Sequence, residues 1–440
     1  MFFVANIGTI KVVMFKDFIQ KRLEKYVVKY FEKHPDVKLV VITGSVGKTS
    51  TKRAVGTLLN VRYKVRMHSG NHNTHLSAPL AILGIDMPEK IHSIGAWLSV
   101  LRAARLRVKN AADVDVIVQE LGTDRPGDIA HFGTYLKPDI AVITAITPEH
   151  MEFFGNIDAV AKEELEAANF SKLALINRDD IDGKYAEYLK NTNLNTYGTT
   201  GYAEYRFEIQ DFTPEKGFIG TVIAPEFGQH VLDTNLKVVG EHSLRPIMGA
   251  VAVATRMGMI GPEILSGLAR LRPVPGRMNL LRGIGGTTII DDTYNSSPAA
   301  AEAAVQTLFS IDAPQRIAVM GSMNELGDTS EEEHRKIGSM MDIDMVAWVV
   351  TIGEEAEKYL APAARAKGCQ VKSFAKSIDA GAFVRSVTEP GSVILVKGSQ
   401  GGIYAEEAVK VLCDMSGDAE LVRQDAHWMK VKNEFFSKIS

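Results

Sequence analysis

The stretch Val41-Ile42-Thr43-Gly44-Ser45-Val46-Gly47-Lys48-Thr49-Ser50 constrains this chain more than any other. Before it, Lys38-Leu39-Val40-Val41-Ile42 is a short, β-branched apolar run, the pattern of a strand buried in a parallel sheet. After it, Ala54, Val55, Leu58 and Leu59 recur at helical spacing. Strand, glycine turn, Lys-Thr and helix form the arrangement that cradles a nucleoside triphosphate. The backbone N–H groups of Gly44, Ser45, Val46, Gly47, Lys48, Thr49 and Ser50 face phosphate oxygens at a helix N-terminus. Lys48 neutralises those oxygens, and the Thr49 hydroxyl holds Mg²⁺. The spacing is G-x-x-G-K-T, two residues shorter between the glycines than the usual phosphate-loop pattern. The plainer alternative is an ordinary strand-to-helix turn containing Gly-Lys-Thr.

A chain of 440 residues has room for two or three cored domains. Its 45% hydrophobic and 23% charged residues are those of a globular protein. The net charge of −3 offers no basic footprint, so nucleic acid is not an expected partner. Cys369 and Cys413 are the only cysteines and lack metal-type spacing, which excludes a disulfide framework and fits a reducing cytoplasm. Residues 1–14 contain neither a membrane-length apolar run nor a leader's cleavage pattern.

Residues 15–33 read as an amphipathic helix, with Phe15, Phe18, Ile19, Leu23, Tyr26, Val27, Tyr30 and Phe31 on one stripe. The opposite face is rich in lysine, so the helix either packs on the next domain or lies on a membrane surface. From Lys38 to about Arg272 strand and helix signals alternate, predicting a parallel sheet covered on both faces. The predicted strands are Lys38–Thr43, Val114–Gln119, Asp139–Thr144 and Leu173–Asn177. Glu120, Thr147 and His150 follow their C-terminal ends, the edge where such sheets bind ligands. Short alternating runs between Tyr205 and Val239 suggest a small antiparallel appendage. Leu271-Arg272-Pro273-Val274-Pro275-Gly276-Arg277 reads as a linker, because its prolines cannot continue a helix. A second α/β set follows, with strands at Thr287–Ile290, Ile317–Met320, Ala347–Ile352 and Val393–Lys397. The resulting division is 1–37, an N-terminal helical region; 38–272, a nucleotide-binding domain; and 273–440, a C-terminal α/β domain.

Further motifs make the site specific. They are Gly70-Asn71-His72-Asn73, Gln119-Glu120-Leu121-Gly122-Thr123-Asp124-Arg125-Pro126-Gly127-Asp128, Thr147-Pro148-Glu149-His150-Met151-Glu152 and Asp291-Asp292-Thr293-Tyr294-Asn295-Ser296-Ser297-Pro298. Met320-Gly321-Ser322-Met323-Asn324-Glu325-Leu326-Gly327 with His334, and Val396-Lys397-Gly398-Ser399, complete the set. Together with Gly44–Ser50 they resemble the Mur ligase family, the ATP-dependent amide-forming enzymes of cell-wall precursor synthesis, and within it the branch that adds D-alanyl-D-alanine. The resemblance implies a P-loop ATPase domain with a parallel sheet, followed by a Rossmann-like α/β domain. It also implies a cytoplasmic ligase that phosphorylates a peptidoglycan-precursor carboxylate with ATP and then admits a small amine or dipeptide. On that resemblance Lys48, Glu120 and His150 are catalytic. Thr49 and Glu120 bind one Mg²⁺ and His150 a second metal, Arg277 and Asp292 touch the nucleotide, and Asn295 lies on its adenine side.

Four departures qualify the resemblance. About 37 residues precede the first strand, fewer than the UDP-gripping domain of that branch requires. Glu164 stands where many members carry a carbamylated lysine; it either replaces the carbamate as a metal ligand or is a plain helix glutamate. Gly240-Glu241-His242-Ser243-Leu244-Arg245-Pro246 lacks two asparagines of a family motif but keeps His242. Finally, residues 88–113 exceed the family's connection and read as a basic amphipathic helix beside Trp97. This insert and helix 15–33 are expected to sit together, near the substrate mouth or against a membrane as a peripheral contact, with packing on the core the simpler role. Asn71 and Asn73 are either turn formers or substrate-side groups. The alternatives in function are a ligase for another amide-linked polymer of poly-glutamate type, and a nucleotide-binding partner subunit without catalysis.

Overall fold

The computed structural model describes residues 7–214, 216–228, 232–414 and 419–439. The apolar runs assemble a sheet of β1 (Lys38–Thr43), β2 (Val65–Met67), β3 (Val116–Glu120), β4 (Ile140–Ile143), β5 (Leu173–Asn177), β6 (Leu194–Gly198), β7 (Tyr205–Thr213), β8 (Gly217–Ile223) and β9 (Leu232–Leu236). The order is β2-β3-β1-β4-β5-β6-β7-β8-β9. β1 lies at the centre because Val40, Val41 and Ile42 are wholly buried, which a strand achieves only with neighbours on both edges and layers on both faces. It pairs in parallel with β3 (Ile42 beside Glu120) and β4 (Thr43 beside Ile143), so the ends of β1, β3 and β4 converge where the strand order reverses.

The expected antiparallel appendage is not separate. β7 joins β6 through Tyr197–Tyr205 and Gly198–Arg206, and β8 and β9 extend the same sheet. β3 also ends one residue later than its sequence pattern suggests, because Glu120 still pairs with Ile42 and its neighbour Leu121 donates its N–H to the Ile42 carbonyl. Glu120 is thereby held as the last rung of the sheet. β2 and β6, unforeseen in the sequence, are short strands.

The helices of this part are α1 (Ile7–Lys33), α2 (Lys48–Leu59), α3 (Ser77–Leu83), α4 (Ile94–Lys109), α5 (Asp128–Gly133), α6 (Met151–Phe154), α7 (Ile157–Asn169), α8 (Leu244–Arg256) and α9 (Gly261–Ala269). One face of the sheet is covered by α2 and α8, where Val55, Leu58, Met248 and Val251 meet Val40, Ile42 and Val142. The other receives α1, α3, α4, α5 and α7. There Ile19, Leu23, Val27 and Tyr30 of α1 join Trp97, Val100 and Ala104 of α4 and Leu39, Val41 and Ile117 of the strands. Both basic amphipathic segments therefore pack on the core, side by side, and Lys33 Nζ donates to the Lys109 carbonyl between them. Phe18, Ile94, Leu98 and Leu106 stay exposed on this pair. Among the described residues no helix is long and apolar enough to cross a membrane.

Residues 271–277 carry the chain to a second sheet of β10 (Asn279–Arg282), β11 (Thr288–Asp292), β12 (Arg316–Gly321), β13 (Trp348–Ile352), β14 (Val371–Phe374) and β15 (Val393–Lys397), ordered β10-β11-β15-β12-β13-β14. All pairs are parallel except β10 with β11. β10 and β14, each of four residues, are absent from the sequence reading. The C-terminal helix Ala426–Phe436 is fixed to this unit by a buried ion pair of Lys432 with Glu407.

Leu23 is fully buried between α1 and the sheet. Leu23→Ala is expected to lower the unfolding free energy by about 2–5 kcal/mol, the usual cost of such a cavity. Urea titration checks this, and a loss below about 1 kcal/mol would mean that α1 is only loosely attached.

Candidate active site

Glycines shape the loop after β1, but contrary to expectation the Gly44 and Ser45 N–H groups are bonded within the protein, to Glu164 and to the Ala145 carbonyl. Gly44 adopts φ +126°, and a Cβ there would lie 2.2 Å from Thr144 Oγ1, so no side chain fits. Gly47 caps α2 in the left-handed region at φ 89°. The loop is pinned to the end of β4 by Ser45 N–H on the Ala145 carbonyl (2.9 Å) and Thr147 N–H on Ser45 Oγ (3.1 Å). Lys48 Nζ donates to the carbonyls of Gly44 and, at 3.1 Å, Ser45, and lies 3.6 Å from Glu149. Burial pushes the Lys48 ammonium down, but the carboxylates of Glu149, Glu164 and Glu120 outweigh it and raise the pKa above the ordinary value.

Glu164, from α7, sits beneath the loop. Its Oε2 accepts the Thr43 hydroxyl (2.5 Å) and the Gly44 N–H (2.8 Å). Burial raises its pKa to about 7, against the pull of Lys48 and these two bonds. The carboxylate thus shapes the phosphate loop from below and is neither an exposed helix glutamate nor part of the cavity wall described next. Its neighbour Glu163, which the sequence reading passed over, accepts the N–H groups of Gly127 (2.8 Å) and Ile129 (2.6 Å) and holds the start of α5.

Above the loop the Thr49 hydroxyl donates to Glu120 Oε2 (3.2 Å). Lys52 Nζ lies 3.2 Å from the same oxygen and donates to the Gly70 carbonyl (3.0 Å). Asn73 Nδ2 reaches Glu120 Oε1 (3.3 Å), and Asn71 Nδ2 donates to the Tyr294 hydroxyl (2.5 Å) across the gap to the second sheet. Neither asparagine is merely a turn former. His150, with φ 51°, stands apart from this group among carboxylates. Its Nδ1 is 3.3 Å from Glu325, and its Nε2 is 3.7 Å from Asp124 and 3.9 Å from Glu149. The expected ligands of the first ion lie together, and the one expected for a second stands separately. Thr49 and Glu120 are together, His150 has other neighbours, and Glu164 is committed to the loop backbone. Among the described residues no group of three His, Cys, Asp or Glu side chains is arranged to hold a metal by itself.

Two cavities, of about 440 and 350 Å³, adjoin at Val46, Gly47 and Arg277. The larger is polar and is lined by Lys48, Thr49, Glu120, His150 and Asn295. The smaller is more apolar, with Tyr197, His242, Pro246 and Val274 in its wall. Arg277 stacks on Tyr294 (4.2 Å to the ring centre), and its buried Nε has no hydrogen-bond partner. A buried guanidinium N–H without an acceptor is costly unless an anion meets it. Asp292 accepts the Met278 N–H (3.2 Å) and Lys397 Nζ (2.6 Å), and Lys397 also donates to the Asn295 carbonyl (3.1 Å). Asn295 thus lines the polar cavity, whereas the side expected to take an adenine carries His242. Lys52 was missed in the sequence, although it follows Lys48 by one helical turn and so shares its face of α2. The pairing of Lys397 with Asp292 had no local signal, since 105 residues separate them.

Residues 42–254 match the Mur ligase middle domain and residues 276–400 the Mur ligase glutamate ligase domain, about three quarters of the chain between them. The UDP-N-acetylmuramoyl-tripeptide--D-alanyl-D-alanine ligase of Bacillus subtilis (strain 168) is 27% identical over 386 residues, which cover 86% of this chain and 76% of that protein. Among solved structures, MurF from Acinetobacter baumannii superimposes with a TM-score of 0.71 at 23% identity, covering 88% of this chain and 79% of that one. MurF ligase from Thermotoga maritima in complex with ADP gives a TM-score of 0.71 at 24% identity, covering 90% and 83%. At these identities the structural likeness concerns the fold.

Burial lowers the pKa of His242 from 6.5 to about 4, against the opposing pull of Asp292. The native state therefore binds a proton less readily than the unfolded chain. The stability tied to a neutral imidazole is complete above pH 6.5 and is lost as pH falls towards 4. Because His242 is partly exposed, this amounts to about 2 kcal/mol. Unfolding free energies of wild type and His242→Gln should accordingly draw together by that amount between pH 7.5 and 4.5. A pH-independent gap would rule out burial as the cause.

Proposed function

We propose, from the premise that the chain belongs to the Mur ligase family, that it is an ADP-forming ligase. It would activate a peptide carboxylate with ATP and join it to D-alanyl-D-alanine or a similar small amine. The observation that carries the reading is the meeting of Lys48 from the phosphate loop with Arg277, from the linker to the second sheet and with its buried Nε unpartnered, at adjoining cavities. Two cations from separate units, one on a glycine-bracketed loop, suit a triphosphate spanning the gap. The apolar cavity with Tyr197 and His242 would take the base, and the polar cavity the γ-phosphate and the acceptor.

The residues have distinct tasks. Lys48 and the remaining loop N–H groups hold the β- and γ-phosphates in line with the acceptor carboxylate. Thr49 and Glu120 offer hard oxygens that would hold Mg²⁺. When bound, the ion neutralises charge on the transferring phosphoryl group. The acceptor oxygen attacks the γ-phosphorus and the bond to the β-γ bridging oxygen breaks, giving ADP and an acyl phosphate. The amine nitrogen then attacks the carbonyl carbon, phosphate leaves with the C–O electron pair, and the nitrogen gives up a proton. His150 lines the cavity where these groups meet, among Asp124, Glu149 and Glu325, and is the residue we assign to the acceptor side. Glu164 fixes the shape of the loop from beneath. A chemistry fed by ATP and a nucleotide-linked precursor belongs in the cytoplasm.

The exposed Ile94, Leu98 and Leu106 beside exposed Arg102 and Arg105 support a secondary reading, a peripheral contact with an anionic membrane. Co-sedimentation with phosphatidylglycerol vesicles tests it.

The main test supplies ATP, Mg²⁺, UDP-N-acetylmuramoyl-tripeptide and D-alanyl-D-alanine together and singly, with the joined product read by mass spectrometry. Product is expected only with both substrates, and Lys48→Ala should lower its rate at least about a hundredfold. Phosphate release without product would move the assignment to another amine, such as glutamate. No turnover in any combination would favour a non-catalytic nucleotide-binding subunit.

A further inference from the structure

The polar cavity has a wall that the phosphate chemistry does not use. Lys16 and Gln20 of α1 line it, together with His75, Thr123, Asp124 and Asp128. They are one helical turn apart and so share a face of α1, while Ile19, Leu23 and Val27 anchor the helix in the core. This stretch of α1 is therefore a fixed part of the site rather than a loose arm.

The side chains behind the wall are tied down. Gln20 Nε2 donates to Glu24 Oε1 (2.8 Å) and lies 3.3 Å from His131 Nε2, which is 2.7 Å from the same glutamate oxygen. The His131 ring packs 4.4 Å from His75, whose Nε2 is 3.0 Å from the Asp128 carbonyl. With its amide nitrogen engaged, Gln20 keeps its carbonyl oxygen for a donor in the cavity. Lys16 is exposed and, among the described residues, has no ion-pair partner.

The charge balance of the cavity decides what this wall can recognise. Glu120, Asp124, Asp128, Glu149 and Glu325 make it acidic, and only Lys16, Lys48 and Arg277 oppose them. Lys48 and Arg277 serve the phosphates and the reacting carboxylate. Any second carboxylate on the acceptor would be repelled by Asp124 and Asp128 unless it met Lys16. Building on the ligase reading, we propose that Lys16 and Gln20 are the acceptor-recognition residues. The acceptor is then an acidic peptide whose non-reacting carboxylate pairs with Lys16 and whose backbone N–H donates to Gln20.

Steady-state kinetics with UDP-N-acetylmuramoyl-tripeptide test this in wild type, Lys16→Arg, Lys16→Ala and Lys16→Glu. The KM for the tripeptide should rise about tenfold in Lys16→Ala and further in Lys16→Glu, the scale of one charge-assisted contact. KM for ATP and kcat should stay within about twofold, and Lys16→Arg should keep most of the affinity. Converting the non-reacting carboxylates of the tripeptide to amides should weaken it for wild type and abolish the difference from Lys16→Ala, a coupling that a structural role for Lys16 would not produce. Wild-type product formation with an unchanged tripeptide KM in Lys16→Glu would overturn this inference while leaving the ligase reading intact. Wild type that neither binds nor converts the tripeptide would overturn both.

Discussion

The buried pair of Lys52 and Glu120 joins the parts of the catalytic half. Both side chains are almost fully enclosed, and a carboxylate so enclosed is tolerated only with several partners. Glu120 has three, drawn from two places: Thr49 and Lys52 from α2, and Asn73 from the loop before α3. Lys52 then reaches the Gly70 carbonyl, so the helix carrying the phosphate loop, the last rung of β3 and the 70–73 loop become one rigid piece. Removing either partner would strand the other charge in the interior, and so the arrangement stands or falls as a unit.

The phosphate loop is held in the same way from beneath. Glu164 bonds both the last residue of β1 and the first glycine of the loop, and Lys48 folds back onto the loop's carbonyls above it. This carboxylate at its raised pKa lies among Lys48, Thr43 and Glu149, and the loop's conformation is therefore coupled to the local charge. On the opposite side, Asp292 and Lys397 fix the end of β11 to the end of β15 and so present Asn295 and Arg277 to the cavities. The site is assembled between two sheets, and a buried lysine–carboxylate pair stands beside it on each: Lys52 with Glu120, and Lys397 with Asp292.

α1 and α4 show how one amphipathic pattern can serve two ends. Their apolar stripes complete the face of the main sheet that α3, α5 and α7 leave partly open. The polar side of α1 then reaches the cavity at Lys16 and Gln20, while α4 keeps an exposed apolar edge at Leu98 and Leu106. Packing and recognition are thus carried by the same helix.

The short-range features were legible in the residues. β1, β5 and β15 follow from apolar runs, and the phosphate loop from glycine spacing, because both are set by neighbours in sequence. The motif order pointed to the family, and the two amphipathic helices stood out by periodicity. What the residues could not settle was which distant groups pair. The joining of β7 to β6 depends on Tyr197 meeting Tyr205 at the sheet edge rather than on any local pattern. Placing Asn295 on the polar side and His242 on the apolar side depends on how the two sheets face each other. Glu164 reads as one glutamate among several on a helix, and only the fold puts it 121 residues from Thr43 in sequence yet in hydrogen-bond contact. The sequence by itself determined the strands, the glycine turn and the kinds of chemical group available. The tertiary structure alone decided their partners, since burial and charge pairing act between segments that the chain brings together only on folding.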